Sequence, residues 1–216
     1  MKKLICFDLD NTLVYSDKAH VFAYNNALEK LGIKKKPKAF LRKLFGRPHI
    51  EIAKLVLPKY NEKISNKFLT EHDKILINKT AKYVNAIPGV KKTLARLKKN
   101  YDLAILSNCN KFTMKAIMKG AGLNPKLFKI LIGNDDVKHS KPYPDEILKA
   151  EKLDKHKPEF MIGDSIYDVI AGKKAKVKTI AVLTGNYPRN LLKRYHPTYI
   201  LNSINYLPKL LKKIRK

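Results

Sequence analysis

An α/β fold, a doubly wound and mainly parallel sheet with an inserted α-helical cap, is the architecture this sequence predicts, and three observations predict it. Short β-type apolar runs alternate with stretches of helical period along most of the chain. The alternation fails between about residues 14 and 87, where apolar stripes keep the helical period and no run reads convincingly as a strand. Several of the runs end in small polar or acidic residues, at the edge where open α/β sheets bind ligands.

The strands expected in order are Lys3 to Phe7, Asp102 to Leu106, Lys129 to Ile132, Glu159 to Ile162, Thr179 to Leu183 and Thr198 to Leu201. Helices lie between them. Val90, Leu94 and Leu97 recur at helical spacing just after Pro88-Gly89, and Met114, Ile117, Met118 and Ala121 form a second stripe that stops near Gly122. Leu207, Leu210, Leu211 and Ile214 make a terminal helix that docks on the domain rather than anchoring in a membrane. Within the irregular stretch, Val21, Tyr24, Leu28 and Leu31 share a helical face that Gly32 ends, and Ile50 to Leu57 and Ile64 to Leu76 add more helix. The simplest division is an α/β core of residues 1–13 and 88–216 with a small helical cap of residues 14–87 inserted after the first strand. Connections near Val14 to Asp17 and at Pro88-Gly89 are the hinges on which such a cap would move.

The chain has 216 residues, 46 Lys plus Arg and 18 Asp plus Glu, so its formal charge is 46 − 18 = +28. With 44% hydrophobic residues it can bury a sizeable core, which excludes disordered and fibrous classes. No apolar run approaches the roughly 18 residues of a membrane span, and Leu4 to Phe7 is too short for a signal-peptide core, so a cytoplasmic protein without membrane contact, monomeric or dimeric, is expected. Cys6 and Cys109 have no CxxC spacing and read as buried fillers, pointing to neither a disulfide framework nor a zinc site. Forty of the 46 cations are Lys, spread along the chain with small clusters at Lys34 to Lys36 and Lys212 to Lys216. A nucleic-acid reader more often concentrates its cations and uses Arg, so a solvated basic surface is favoured over nucleic-acid binding; either surface attracts anions.

The chemistry is carried first by Asp8-Leu9-Asp10-Asn11-Thr12, directly after an apolar strand. Residues two apart in extended chain point the same way, so Asp8 and Asp10 present two carboxylates at the strand end while Leu9 faces away. Like charges that close call for a divalent cation or a retained proton. Ser107-Asn108 follows the second core strand and supplies hydrogen-bond donors suited to a phosphate oxygen, and Lys141-Pro142 follows a polar loop. Glu159 to Ile162 runs into Gly163-Asp164-Ser165-Ile166-Tyr167-Asp168, whose two acids, four apart, would share one helical face; Gly163 permits close approach by a ligand.

These four sites, in this order, resemble the haloacid dehalogenase superfamily of phosphohydrolases over nearly the whole chain. Asp8 to Thr12 matches its DxDxT motif, Ser107 the second motif, Lys141 the third, and Gly163-Asp164 to Asp168 the fourth; the 14–87 insertion is similar to the family's helical cap. The resemblance implies that Asp8 is the nucleophile, forming an aspartyl-phosphate, and that Asp10 protonates the leaving alkoxide and then activates water. It implies a Mg²⁺ held by Asp8, the Asp10 backbone carbonyl and Asp164, with Asp168 holding a metal-bound water or Lys141. Lys141, Ser107 and backbone N–H groups would share the phosphate charge, Thr12 would order the loop and Asp10, and Asn108 would support phosphate binding.

Asp10 argues for phosphate over halide, since a halide leaving group needs no proton. A sugar-phosphate mutase and a phosphatase acting on polynucleotide ends stay open as alternatives. Arg47, in Gly46-Arg47-Pro48 between two helical segments, either clamps a carboxylate or second phosphate of the substrate or sits in an exposed turn. A resemblance to phosphoglycolate phosphatases makes a small anionic phosphate monoester the leading substrate, with sugar phosphates, pyrophosphate and nucleotides behind it. The six His, at 20, 49, 72, 139, 156 and 196, form no cluster in sequence and read as surface or capping residues. Tyr143 and Tyr167 read as packing residues, and Asp135-Asp136 as a solvated loop.

Overall fold

A computed structural model describes residues 2–214; residue 1 and the last two residues of the terminal basic run lie outside them. In chain order the elements are β1 (Lys3–Phe7), β2 (Val14–Tyr15), α1 (Asp17–Lys30), α2 (Lys38–Arg42), α3 (His49–Val56), α4 (Glu62–Ile75), β3 (Asn85–Ala86), α5 (Val90–Lys98), β4 (Tyr101–Leu106), α6 (Lys111–Gly120), β5 (Ile130–Ile132), α7 (Asp145–Asp154), β6 (Phe160–Gly163), α8 (Ile166–Lys174), β7 (Lys178–Val182), α9 (Arg189–Arg194), β8 (Tyr199–Leu201) and α10 (Leu207–Ile214).

All six expected strands form, within a residue of their expected ends, in one parallel sheet of order β5-β4-β1-β6-β7-β8. The first strand lies inside the sheet, and Ile5 pairs with Leu103 on one side and Phe160 on the other. Leu4 to Phe7 are buried on both faces, which is why they read as an unbroken apolar run. Ile5 and Phe7 join one cluster with Val90, Leu94, Met114 and Ile117, whereas Leu4 and Cys6 join another with Ile147, Ala150 and Ala171. The terminal helix docks as expected, with Leu207 and Leu211 buried near α5.

The insertion departs from expectation in two places. Val14–Tyr15 and Asn85–Ala86 pair as a two-residue antiparallel ribbon, where no strand was expected. Pairs that short carry no periodicity to read; the outgoing and returning chains bond because both must pass the same point, and Ile87 N donates to Leu13 O at 3.0 Å beside them. On α1, Tyr24 and Leu28 are buried as expected, but Ala19, His20, Ala23 and Ala27 complete the buried face while Val21 and Leu31 are only partly covered. Small residues let α1 pack closely against α4, so the buried face is centred on alanines that a stripe of large apolar residues does not mark. Leu41, Ile52, Val56, Phe68 and Ile75 close the helical layer, and Gly120 of α6 lies against the Ala81 carbonyl, leaving no room for a Cβ.

Candidate active site

The sheet brings the ends of β1, β4 and β6 side by side, and the residues singled out after each face a common cleft. Asp8, Asp10, Ser107, Asn108, Lys141, Asp164 and Asp168 line it, together with Arg47 from the insertion. Thr12 does not. It is fully buried and donates through Oγ1 to Asp164 Oδ1 at 3.3 Å, so it stands behind that carboxylate and orders it, whereas the resemblance implies that it orders Asp10.

Lys141 organises this wall. Its side chain is 1% exposed, and Nζ donates to Asp8 Oδ1 at 2.6 Å, Asp168 Oδ1 at 2.8 Å and the Leu106 carbonyl at 2.9 Å, which occupies its three protons. Burial works against the ammonium charge, but Asp168 and Asp8 outweigh it and hold Lys141 protonated, well above its ordinary range. Asp168 is fixed in turn. Its Oδ2 accepts from Ser165 N at 3.1 Å and Ser165 Oγ at 2.6 Å, the capping box that starts α8. Asp164 precedes that helix, so the two acids do not share a helical face as their spacing suggested. Nor does Gly163 admit a ligand: the Asp168 carboxylate occupies the place a Cβ would take, and the Asp164 carboxylate does the same at Gly185.

Asp8, Asp164 and Asp168 each offer an oxygen within 4.8 Å of the others. Burial, then the neighbouring carboxylates, push Asp164 well up, and burial does the same to Asp8 despite Lys141. Three buried acids against one lysine, with only oxygen donors, fit a hard divalent cation, which would relieve that repulsion. Both oxygens of Asp168 are engaged, so Asp8 and Asp164 are the side chains able to hold the ion. Asp168 holds Lys141, one of the two roles the resemblance implies for it.

The Asp10 carboxylate stands apart from this group, leaving its backbone carbonyl as the donor that the resemblance implies. Oδ1 lies 3.3 Å from His20 Nε2 and Oδ2 lies 3.6 Å from Cys109 Sγ. His20 Nδ1 lies 3.2 Å from His72 Nε2, and His72 Nδ1 lies 2.9 Å from Asp73 Oδ1. Asn110 caps α6 and donates to Asp73 Oδ2 at 2.6 Å. With His72 Nδ1–H donating to the Asp73 carboxylate, His72 Nε2 is left to accept from His20 Nδ1–H, and His20 Nε2 faces Asp10. Burial raises the Asp10 carboxyl, but hydrogen bonding and charge from His20 outweigh it and leave the group below its usual value.

His20, His49 and His72 therefore correct the sequence reading. His20 and His49 line the cleft and His72 packs behind them, with ring centroids 5.3 Å apart for His20 and His72 and 5.2 Å for His49 and His72. His72 is fully buried, and Cys109 is more than a filler, since its sulfur contacts both Asp10 and His49. These residues sit on α1, α3, α4 and the loop after β4, and no spacing links them. His139 and His156 do lie at the surface side of the core, beside Asp145 and Asp154.

The remaining candidates find specific places. Ser107 Oγ accepts from Cys109 N at 3.2 Å. Asn108 Nδ2 donates to the Gly46 carbonyl at 3.0 Å and the Lys141 carbonyl at 3.2 Å, tying the insertion to the core. Arg47 stacks over Tyr167 at 5.7 Å, approaches Glu51 at 3.6 Å, and keeps a buried Nε without a protein partner. Tyr143 is exposed, as is Asp135, whose Oδ1 accepts from Lys111 N, whereas Asp136 is partly buried and binds Lys111 and Lys149.

A model of the haloacid dehalogenase-like hydrolase family matches residues 5–182. The chain is 30% identical over 206 residues to Pyrophosphatase PpaX of Oceanobacillus iheyensis, covering 94% of this chain and 93% of the relative. It is 29% identical over 187 residues to a phosphoglycolate phosphatase of Aquifex aeolicus, covering 85% of each. A solved structure, the hydrolase and haloacid dehalogenase-like family protein SP0104 of Streptococcus pneumoniae, superposes with a TM-score of 0.85 at 21% identity, over 97% of this chain and 98% of that one, a likeness of fold.

Proposed function

The chain belongs to the haloacid dehalogenase-like hydrolase family and is a phosphatase of it; on that premise we propose that it hydrolyses a small phosphate compound, with Mg²⁺, through an aspartyl-phosphate formed on Asp8. The observation that carries this reading is the bridge from Lys141 Nζ to Asp8 and Asp168, which points the Asp8 carboxylate into the cleft beside Asp164. Asp8 attacks phosphorus with its free oxygen while Lys141 holds the other and offsets charge on the phosphoryl group. Asp8, Asp164 and the Asp10 carbonyl would hold a Mg²⁺, which when bound would supply Lewis-acid stabilisation of that charge. Asp10 gives the proton it shares with His20 to the leaving oxygen, then takes one from the water that cleaves the aspartyl-phosphate. Ser107 lies where its hydroxyl can meet a phosphate oxygen.

Residues 14–87 act as the cap, and the half-exposed Arg47 favours a substrate with a second anionic group, phosphoglycolate first and pyrophosphate beside it, in keeping with the two named relatives. Phosphate release from a panel of such compounds, with Mg²⁺ and then with chelator, tests the reading. Metal-dependent release lost by about 10⁴-fold or more in Asp8→Asn is expected; undiminished release from that variant, or from the chelated protein, would overturn it.

A further inference from the structure

We propose that Asp10, His20, His49 and Cys109 form a second metal site, separate from the carboxylate site, for a thiophilic divalent ion such as Zn²⁺. Oxygen, nitrogen and sulfur donors from Asp10, His20 and Cys109 all lie within 4.8 Å of one another, and His49 Nε2 lies 3.6 Å from the same sulfur. Zinc bound tetrahedrally at about 2.3 Å from sulfur and about 2.0–2.2 Å from nitrogen or oxygen sets its donors about 3.6 Å apart where sulfur is one of the pair and about 3.3 Å otherwise. The contacts present are 3.6 Å from the Cys109 sulfur to Asp10 Oδ2, 3.6 Å from that sulfur to His49 Nε2 and 3.3 Å from His20 Nε2 to Asp10 Oδ1, so the Asp10 carboxylate, which faces both neighbours with different oxygens, would bind through both or turn to offer one.

The surroundings are those of a metal ligand. A metal-bound histidine commonly donates its other ring N–H to a neighbour that fixes its tautomer. His20 does so through Nδ1 to His72, which is anchored by Asp73, and this leaves His20 Nε2 as a lone pair facing the Asp10 carboxylate. Two acceptors facing each other need a cation between them, either a proton or a metal ion. All four donors line the cleft, which gives an ion a way in. Imidazole, thiolate and one carboxylate suit zinc and cobalt, whereas the all-oxygen group at Asp8 and Asp164 suits magnesium. Binding would expel two protons to solvent: the Cys109 thiol proton, which burial otherwise retains, and the one shared by Asp10 and His20. The ion would withdraw the Asp10 carboxylate from proton transfer and pin His20 and His49 of the insertion to Asp10 and Cys109 of the core. Zn²⁺ would then inhibit the Mg²⁺-supported reaction, a consequence that rests on the function proposed above, although the site itself does not.

Cobalt(II) titrated into the Mg²⁺-loaded protein tests the site without reference to activity. Expected are a near-ultraviolet thiolate-to-cobalt charge-transfer band and intense visible bands of tetrahedral cobalt, removed by Zn²⁺. The charge-transfer band should vanish in Cys109→Ser and survive in Cys6→Ser, whose sulfur lies in the opposite cluster of the sheet. Asp73→Asn, two bonds removed from the ion, should weaken binding by about 10-fold or more. Absence of a thiolate band, its persistence in Cys109→Ser, or cobalt signals of octahedral oxygen type only, as from the carboxylate site, would each overturn the proposal.

Discussion

On the sheet side of the cleft, Asp8, Lys141 and Asp168 are joined by bonds of 2.6 and 2.8 Å, and two of them sit at a strand end and a helix start that backbone pairing fixes. On the helical side, His20, His49, His72 and Asp73 come from three separate helices and meet only because the insertion lies down on the core. The sheet wall holds opposite charges in buried contact, where loss of one partner strands another. The helical wall holds largely neutral rings and an arginine, whose loss changes what is bound or how one acid is oriented. Damage to the first should therefore fall on every substrate alike and on stability, and damage to the second should depend on the substrate.

Lys141→Met probes this contrast most severely. It leaves Asp8 and Asp168 buried without their cation and should lower unfolding free energy by about 3–5 kcal/mol, read by urea denaturation, while abolishing turnover of all substrates. Stability like that of the parent protein would show that the sheet wall is not held by this charge. Asp10→Asn joins both walls. Its turnover should fall by about 10²–10⁴-fold for alkyl phosphates and less for p-nitrophenyl phosphate, whose leaving group needs no proton. Equal losses would argue that Asp10 orders the loop and transfers no proton.

Arg47→Ala sharpens the helical side. Its kcat/KM should drop about 10–100-fold for phosphoglycolate or pyrophosphate through KM, and little for p-nitrophenyl phosphate. A uniform loss would assign Arg47 to packing on Tyr167.

The smallest effect is a pH dependence behind the sheet wall. Glu146 is fully buried, and burial raises its carboxyl from 4.5 to about 7. Between those values the unfolded chain loses the proton while the folded one keeps it, so stability falls as pH rises through the window and levels above it. Glu146→Gln should remove that slope, adding on the order of 1–2 kcal/mol at pH 8 and nothing at pH 4. The full shift would imply about 3 kcal/mol, but Lys141 loses an attraction at the same time. Thermal unfolding of both proteins across pH 4–8 measures it, and parallel curves would place the Glu146 charge elsewhere.

The sheet was legible because each strand carries its own signature, a short apolar run, buried on two faces in the inner strands, and Asp8, Ser107 and Asp164 follow directly upon such runs. Lys141 was legible only through family resemblance, since one lysine among forty has no local mark. The two-residue ribbon that joins the outgoing and returning chains of the insertion, with no period to display, was not legible at all. Sequence alone thus determined the α/β core, the helical insertion, the acidic groups at the strand ends and the basic surface, because alternation along a strand and spacing along a helix are set by local backbone geometry. Tertiary structure alone decided that Asp168 serves Lys141, that Arg47 reaches the cleft, and that three histidines and a cysteine gather around Asp10. Those residues lie up to 99 positions from Asp10, and their meeting depends on how helices pack across the insertion and the core, which no local pattern encodes.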